Sequence, residues 1–366
     1  MKKISLLICL CIAAQGFSQG KGYVINGLIK KAPDNAYLYL THKENDVAIT
    51  DSALVKGEKF TFKGKTLEPN MYWITLHKIE SPQLIFFVDN TTITITAEVD
   101  SMAKAEIKGG ATQSDYKIWQ QMQYKYGETR KGLILQYNEK GKNQDQAGAQ
   151  KIMDTAMVLE RAYEKDIVKF IKVHPKSVIG GYAIWSVVFD WPKIDEYDEM
   201  YNALSEPVKK GKFGVLADEK IASIKGITVG YKAINFAQPD VNGKSVSLSS
   251  YKGKVVLVDF WASWCGPCRG ENPAVVAAYN KYKDKGFDVL GVSLDQSKDK
   301  WLQAIQKDGL TWTHISDLKG WQNEAAKKYG VTSIPFNVLV DKDGKVLAKG
   351  LRGPALEAKL AEIFDK

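Results

Sequence analysis

The chain has 366 residues, 45% of them hydrophobic and 25% charged, with 51 Lys and Arg against 42 Asp and Glu for a formal charge of +9. The basic residues are spread out and interleaved with acids, as in Lys298-Asp-Lys300 and Asp341-Lys-Asp343. That pattern describes a solvated surface and argues against a nucleic-acid or membrane-binding patch. The length suits two or three domains, and the four cysteines fall in two close pairs that cannot staple a chain of this size.

Met1-Lys2-Lys3, the apolar stretch Ile4 to Ala14 and the small residues Gly16 and Ser18 read as a secretory signal peptide over residues 1–18, cut after Ser18. The apolar run is shorter than the ~20 residues that span a bilayer. Cys9 and Cys11 lie inside it, and Ile8 and Leu10 before them argue against lipid attachment. The expected location is the periplasm, an oxidising compartment without nucleic acid.

Residues 19–109 show short β-type runs at Tyr23–Ile29, Ala36–Leu40, Lys59–Lys63, Tyr72–Leu76, Leu84–Val88 and Thr91–Ala97. This spacing predicts a small β-sandwich without a catalytic cluster, and Asp89-Asn90 predicts a hairpin. After Gly109-Gly110, residues 110–226 turn helical. Tyr116, Trp119, Gln120 and Tyr124 fit one helix face, and Met153–Ile171 reads as a second helix stopped by His174-Pro175. Further helical segments follow at Val178–Val188 and Asp195–Ala203. Trp119, Trp185 and Trp191 are expected to pack rather than to line a ligand groove.

From residue 227 to 366 strand and helix alternate, predicting an α/β domain with a mostly parallel or mixed sheet. Asn242-Gly243 predicts a short hairpin between Ile234–Val241 and Ser245–Leu248. Val255–Trp261 reads as a buried strand, Gly270–Lys283 as a helix and Asp288–Leu294 as the next strand. Helices are expected at 298–308, 321–329 and Ala355–Phe364, and a terminal hairpin at Phe336–Val340 and Lys345–Lys349.

Trp264-Cys-Gly-Pro-Cys268 stands at the strand-to-helix junction. Cysteines three apart span about one helical turn, so their sulfurs can close a disulfide. A thiolate at a helix N-terminus is stabilised by the dipole and by unpaired N–H groups. This is the chemistry of a dithiol–disulfide switch. Zinc would need four ligands, and His42, His77, His174 and His314 show no ligand spacing with the pair. No metal or other cofactor is expected.

Residues 255–273 resemble the active-site segment of the thioredoxin superfamily. Cys265-Gly-Pro-Cys-Arg-Gly-Glu-Asn-Pro273 is similar, more narrowly, to exported TlpA/ResA-type thiol:disulfide oxidoreductases. The resemblance runs over roughly Ala233 to Lys366 and implies a thioredoxin-fold domain at 227–366. The regions before it resemble, more weakly, the extra β and helical domains of Bacteroidetes members. By resemblance Cys265 is the nucleophile and Cys268 the resolving thiol, the two forming a redox-active disulfide. Glu271 matches an acid active in the family's proton transfers, with a solvated first-turn glutamate as the alternative. Asp259 matches the buried acid of thioredoxin, whose companion lysine falls here at Gly291, leaving the proton route open. Ser333-Ile334-Pro335 matches the cis-proline loop, and Trp264, Gly266, Pro267, Ile334 and Pro335 are the expected substrate-binding residues. Pro273 matches the kink of the active-site helix.

The expected function is an exported thiol–disulfide oxidoreductase, acting as a protein disulfide reductase by ping-pong exchange. It would serve cytochrome c maturation or envelope redox homeostasis, with disulfide-containing exported proteins as substrates. A membrane electron donor of the DsbD/CcdA kind is the implied partner. One alternative is a peroxiredoxin-like thiol peroxidase, opposed by Ala262 and Val258, where that motif needs threonine and proline. The other is a non-enzymatic partner-binding protein with a passenger thioredoxin domain.

Overall fold

A computed structural model of the chain describes residues 22–44, 47–77, 84–187 and 194–365. The expected signal peptide, with Cys9 and Cys11, and Trp191 lie outside these residues. The chain folds as two units that divide between Lys131 and Gly132.

The first unit carries β1 (Tyr23–Lys30), β2 (Tyr37–Glu44), β3 (Val47–Leu54), β4 (Lys59–Gly64), β5 (Asn70–Leu76), β6 (Leu84–Val88), β7 (Thr92–Glu98) and β8 (Glu106–Lys108). They form two four-stranded sheets, ordered β4-β1-β7-β8 and β3-β2-β5-β6. Alternate side chains of both sheets, among them Ile25, Leu40, Phe62, Ile74, Phe86 and Ile95, meet in one buried core. Period-two burial on facing sheets makes this a β-sandwich. The expected hairpin at Asp89-Asn90 is not formed, because β6 and β7 belong to different sheets. The turn is instead held from outside. Asn90 exchanges two hydrogen bonds with the Thr66 backbone, at 2.7 and 3.0 Å, and Asp89 accepts from Thr91 Oγ1 and from the Thr112 N–H. These bonds carry the chain from one sheet to the other.

Helix α1 (Ala111–Lys142) runs from the first unit into the second. Its apolar face is confined to its opening turns: Tyr116 and Trp119 are buried, whereas Gln120 and Tyr124, expected on the same face, are exposed. Next come α2 (Gln146–Val173), α3 (Val178–Ser186), α4 (Ile194–Asn202), α5 (Glu206–Lys210) and α6 (Lys212–Gly226). Asp145 caps α2 by accepting from the Gly148 N–H, and the helix ends at His174, before Pro175. Trp185 packs against Tyr182 and Phe213, with ring centroids 5.9 and 6.2 Å away.

The remainder is a thioredoxin fold. A short hairpin, β9 (Ala237–Pro239) and β10 (Ser245–Ser247), turns at Asn242-Gly243, where Asp240 accepts from the N–H groups of Asn242 and Lys244 and Gly243 takes φ +84°. There follow β11 (Val255–Trp261), α7 (Gly266–Tyr282), β12 (Phe287–Ser293), α8 (Lys298–Lys307) and β13 (Thr313–Ile315). The chain ends with α9 (Glu324–Lys328), β14 (Phe336–Val340), β15 (Val346–Lys349) and α10 (Pro354–Phe364). The sheet order is β13-β12-β11-β14-β15, parallel through its first three strands and antiparallel at β14 and β15. All seven residues of β11 are buried, which is why this strand reads as a continuous apolar run rather than an alternating one. The single helix expected at 321–329 is broken by Asn323. That residue is wholly buried and caps α9, leaving a 3-10 turn at Gly320–Gln322 before it.

Candidate active site

The end of β11 delivers the chain into the N-terminus of α7. Cys265 is the N-cap residue, and its sulfur accepts from the Cys268 N–H at 3.2 Å. Gly266 and Pro267 form the first helical positions, where the missing proline N–H leaves no bond unmade. The helix therefore begins four residues earlier than its sequence pattern suggests, and Cys268 lies inside the first turn. Cys265 and Cys268 are joined by a disulfide with their Cα atoms 5.3 Å apart, and both are buried. The Cys265 sulfur thus sits where the helix dipole and a backbone N–H both favour a thiolate.

Behind Cys268 lies a cavity of about 10 Å³, room for a single water at most. Asp259, Glu271, Pro335 and Arg352 line it together with Cys268. Asp259 comes from the middle of β11, and burial pushes its carboxyl up to about 7. Arg352 opposes that shift and Glu271 adds to it. Glu271, one turn past Cys268 on α7, accepts from the Gly353 N–H at 3.0 Å. The Ile334–Pro335 peptide bond is cis, and Pro335 reaches the same cavity. Trp264 stands half exposed beside the disulfide, with its ring centroid 6.1 Å from that of Trp321, which is also exposed. Gly266 and Pro267 are exposed as well.

The support for this arrangement is polar. Buried Asp295 accepts from the Ser263 N–H at 2.9 Å, from Ser263 Oγ at 2.5 Å and from Ser293 Oγ at 2.8 Å, fixing the residue before Trp264. Asp308, the residue that ends α8, accepts from Arg269 through both oxygens and from Asn272, clamping the opening of α7. Two larger hollows, of about 280 and 320 Å³, lie along other parts of the domain and contain no cysteine.

A protein of Bacillus thuringiensis subsp. konkukian, thiol-disulfide oxidoreductase ResA, is 34% identical over 138 residues, which is 38% of this chain and 78% of its own length. The Bacillus subtilis protein of the same name is 31% identical over 144 residues, 39% of this chain and 78% of its own. The chain belongs to the ResA family of thiol-disulfide oxidoreductases. The family model of the AhpC/TSA family matches residues 229–349, and that of a domain of unknown function, DUF4369, matches residues 23–116. Among solved structures, the thioredoxin domain of a Bacteroides vulgatus thiol-disulfide oxidoreductase is 38% identical. It covers 37% of this chain and 98% of its own, with a TM-score of 0.36.

Asp259, Cys268, Glu271 and Pro335 line one cavity, and Cys265 is tied to it through the disulfide. Trp264, Gly266 and Pro267 form the exposed rim, and Ile334 is half-buried next to Pro335. Two further residues of the site are not among those expected from the sequence. Arg352 enters the cavity from the loop between β15 and α10, and Trp321 joins Trp264 from the 3-10 turn before α9. Arg352-Gly353, an arginine and a glycine just before a helix, was the available signal for the first. Nothing local marked the second. Among the described residues no helix is long and apolar enough to cross a membrane, and no group of three or more His, Cys, Asp or Glu could hold a metal ion.

Proposed function

We propose that this ResA-family enzyme is an exported disulfide reductase working by ping-pong exchange through Cys265 and Cys268. The observation that carries the reading is a closable cysteine pair with one sulfur at a helix N-terminus and two carboxyls behind the other. In the reduced form the Cys265 thiolate attacks a substrate disulfide. One substrate sulfur leaves as a thiolate and takes a proton, and the other stays bonded to Cys265. Cys268 then gives its proton to Asp259 or Glu271 and attacks Cys265, releasing the second substrate thiolate and closing the Cys265–Cys268 disulfide. Asp259, raised to about 7, suits a proton acceptor working near neutral pH. Trp264, Gly266, Pro267, Ile334 and Pro335 form the surface on which the substrate segment lies.

Each turnover consumes two electrons, so a membrane donor of the DsbD/CcdA kind must return them in the periplasm. The substrates are disulfide-bearing exported proteins, in cytochrome c maturation or general envelope redox homeostasis. We assign the signal peptide to 1–18, the β-sandwich to 19–109, the helical part to 110–226 and the catalytic domain to 227–366. The β-sandwich and the helical part restrict which substrates reach Cys265.

Insulin reduction by the purified protein tests the chemistry: Cys265→Ser is expected to abolish turnover, and turnover unchanged in that variant overturns the reading. Cys268→Ala is expected to accumulate mixed disulfides in the cell envelope, whose partners mass spectrometry then names.

A further inference from the structure

We propose that Arg352 is the counter-cation of the dithiol site, a positioning residue that keeps Asp259 able to hold negative charge while anchoring the proline loop. This rests on the proton-acceptor role given to Asp259 above.

The strand registers place Asn337, Asp259, Gly291 and His314 in one row across β14, β11, β12 and β13. The position beside Asp259 on β12 therefore has no side chain. A Cβ built on Gly291 would lie 2.3 Å from His314 Nδ1 and 3.2 Å from Trp261 Nε1, so the imidazole of the next strand already fills that space. No lysine or arginine fits there. His314 does not supply the missing charge, since burial holds it neutral, its pKa pushed down to about 3.

Charge must then reach Asp259 from the other side. Among the described residues Arg352 is the one basic residue lining the cavity, against the two carboxyls of Asp259 and Glu271. Three consecutive residues of its loop each hold a different part of the site. Leu351 exchanges two backbone-to-side-chain bonds with Asn337, at 2.7 and 2.8 Å, and Asn337 is in register with Asp259. Arg352 donates to the Pro335 carbonyl at 2.6 Å. Gly353, at φ +44°, donates to Glu271 at 3.0 Å. The guanidinium is thus held on a fixed carbonyl rather than left to swing in solvent, although the residue is exposed. An anchored cation beside a buried acid favours its ionised form.

The charged and titratable groups facing Asp259 are Cys268 and Glu271 from α7 and Arg352 from the loop. On the sheet, Asn337 and Gly291 carry no charge and His314 is neutral. During exchange the Glu271 carboxyl and a Cys268 thiolate share one small space with Asp259, and negative charge on either opposes its ionisation. Arg352 is the group that offsets this.

The test is the titration of Asp259 in the full-length oxidised protein, followed by 13C NMR of carboxyl-labelled aspartate and assigned with Asp259→Asn. Arg352→Gln is expected to move the midpoint up by at least about half a pH unit, and Arg352→Lys to leave it near that of the parent protein. The alkaline shift should reappear in the pH profile of kcat/KM for insulin reduction. A midpoint unmoved in Arg352→Gln, or moved equally in both variants, overturns the proposal, since the second result would reflect packing rather than charge. If the parent protein does not reduce disulfides, the functional reading fails while the titration still decides the role of Arg352.

Discussion

Asp259 and His314 share one face of the sheet and respond to pH in opposite senses. The Asp259 carboxyl titrates near 3.8 when unfolded and at about 7 when folded, so between those values the native state keeps a proton that the unfolded chain gives up. Stability therefore falls as pH rises from about 4 to 7 and then levels off. Asp259→Asn removes this loss. It should be more stable than the parent by roughly 2–4 kcal/mol at pH 8 and no more stable at pH 3.5, as read by chemical denaturation at both values. His314 behaves inversely. It is neutral when folded down to about pH 3, whereas the unfolded ring protonates near 6.5, so its contribution is lost as pH falls from 6.5. His314→Met should flatten that acid limb, and denaturation midpoints at pH 4.5 and 7 would show it. In the parent protein the two slopes offset each other between about pH 4 and 6.5, and single variants unmask them. At this scale the sequence exposed the groups that share a local motif: the cysteines, Glu271 one turn on, and an acid inside an apolar strand. Arg352 lies more than eighty residues beyond them and is brought in only by the loop after β15, so no spacing rule could find it.

Elements were legible where burial imposes a period and illegible where it does not. β11 and β14 match their apolar runs closely because both are central and buried. β3 went unread because nearly all of it is exposed at the edge of its sheet, with no alternation to detect. The three residues of β13 are too short a pattern. Asp89-Asn90 is a turn but not a hairpin, since a turn signal does not say which sheet the next strand joins. The start of α7 was hidden by its own N-terminal Gly-Pro, poor helix formers that are tolerated at first positions. What holds that start is the Asp308 clamp on Arg269 and Asn272. Asp308→Ala leaves the buried Asn272 amide and a partly buried guanidinium without their acceptor, and should cost about 2 kcal/mol in urea unfolding. An unchanged midpoint would mean that solvent replaces the carboxylate.

For the whole molecule, texture alone separated a β part, a helical part and an α/β part, while the structural division falls within α1. A long helix shared by two units shows no break in its sequence pattern, so that boundary was invisible. The ResA likeness covers a little over a third of the chain, and the cysteine pair lies within residues 229–349, which match the AhpC/TSA family model. A fragment of residues 227–366 should therefore reduce small disulfides at close to the full-length rate, with any difference confined to protein substrates. A comparable loss on both substrate types would show that the preceding helices support the catalytic fold itself. The chain carries nine tryptophans, of which Trp119, Trp261 and Trp301 are sealed in the interior, whereas Trp264 stands half exposed next to the disulfide and faces Trp321. A disulfide quenches an adjacent indole, so reduction should brighten Trp264 while the interior rings stay constant. The molecule then emits a readout of its own oxidation state, and a stopped-flow trace of that light, absent in Trp264→Phe, would time each half-reaction without any coloured substrate.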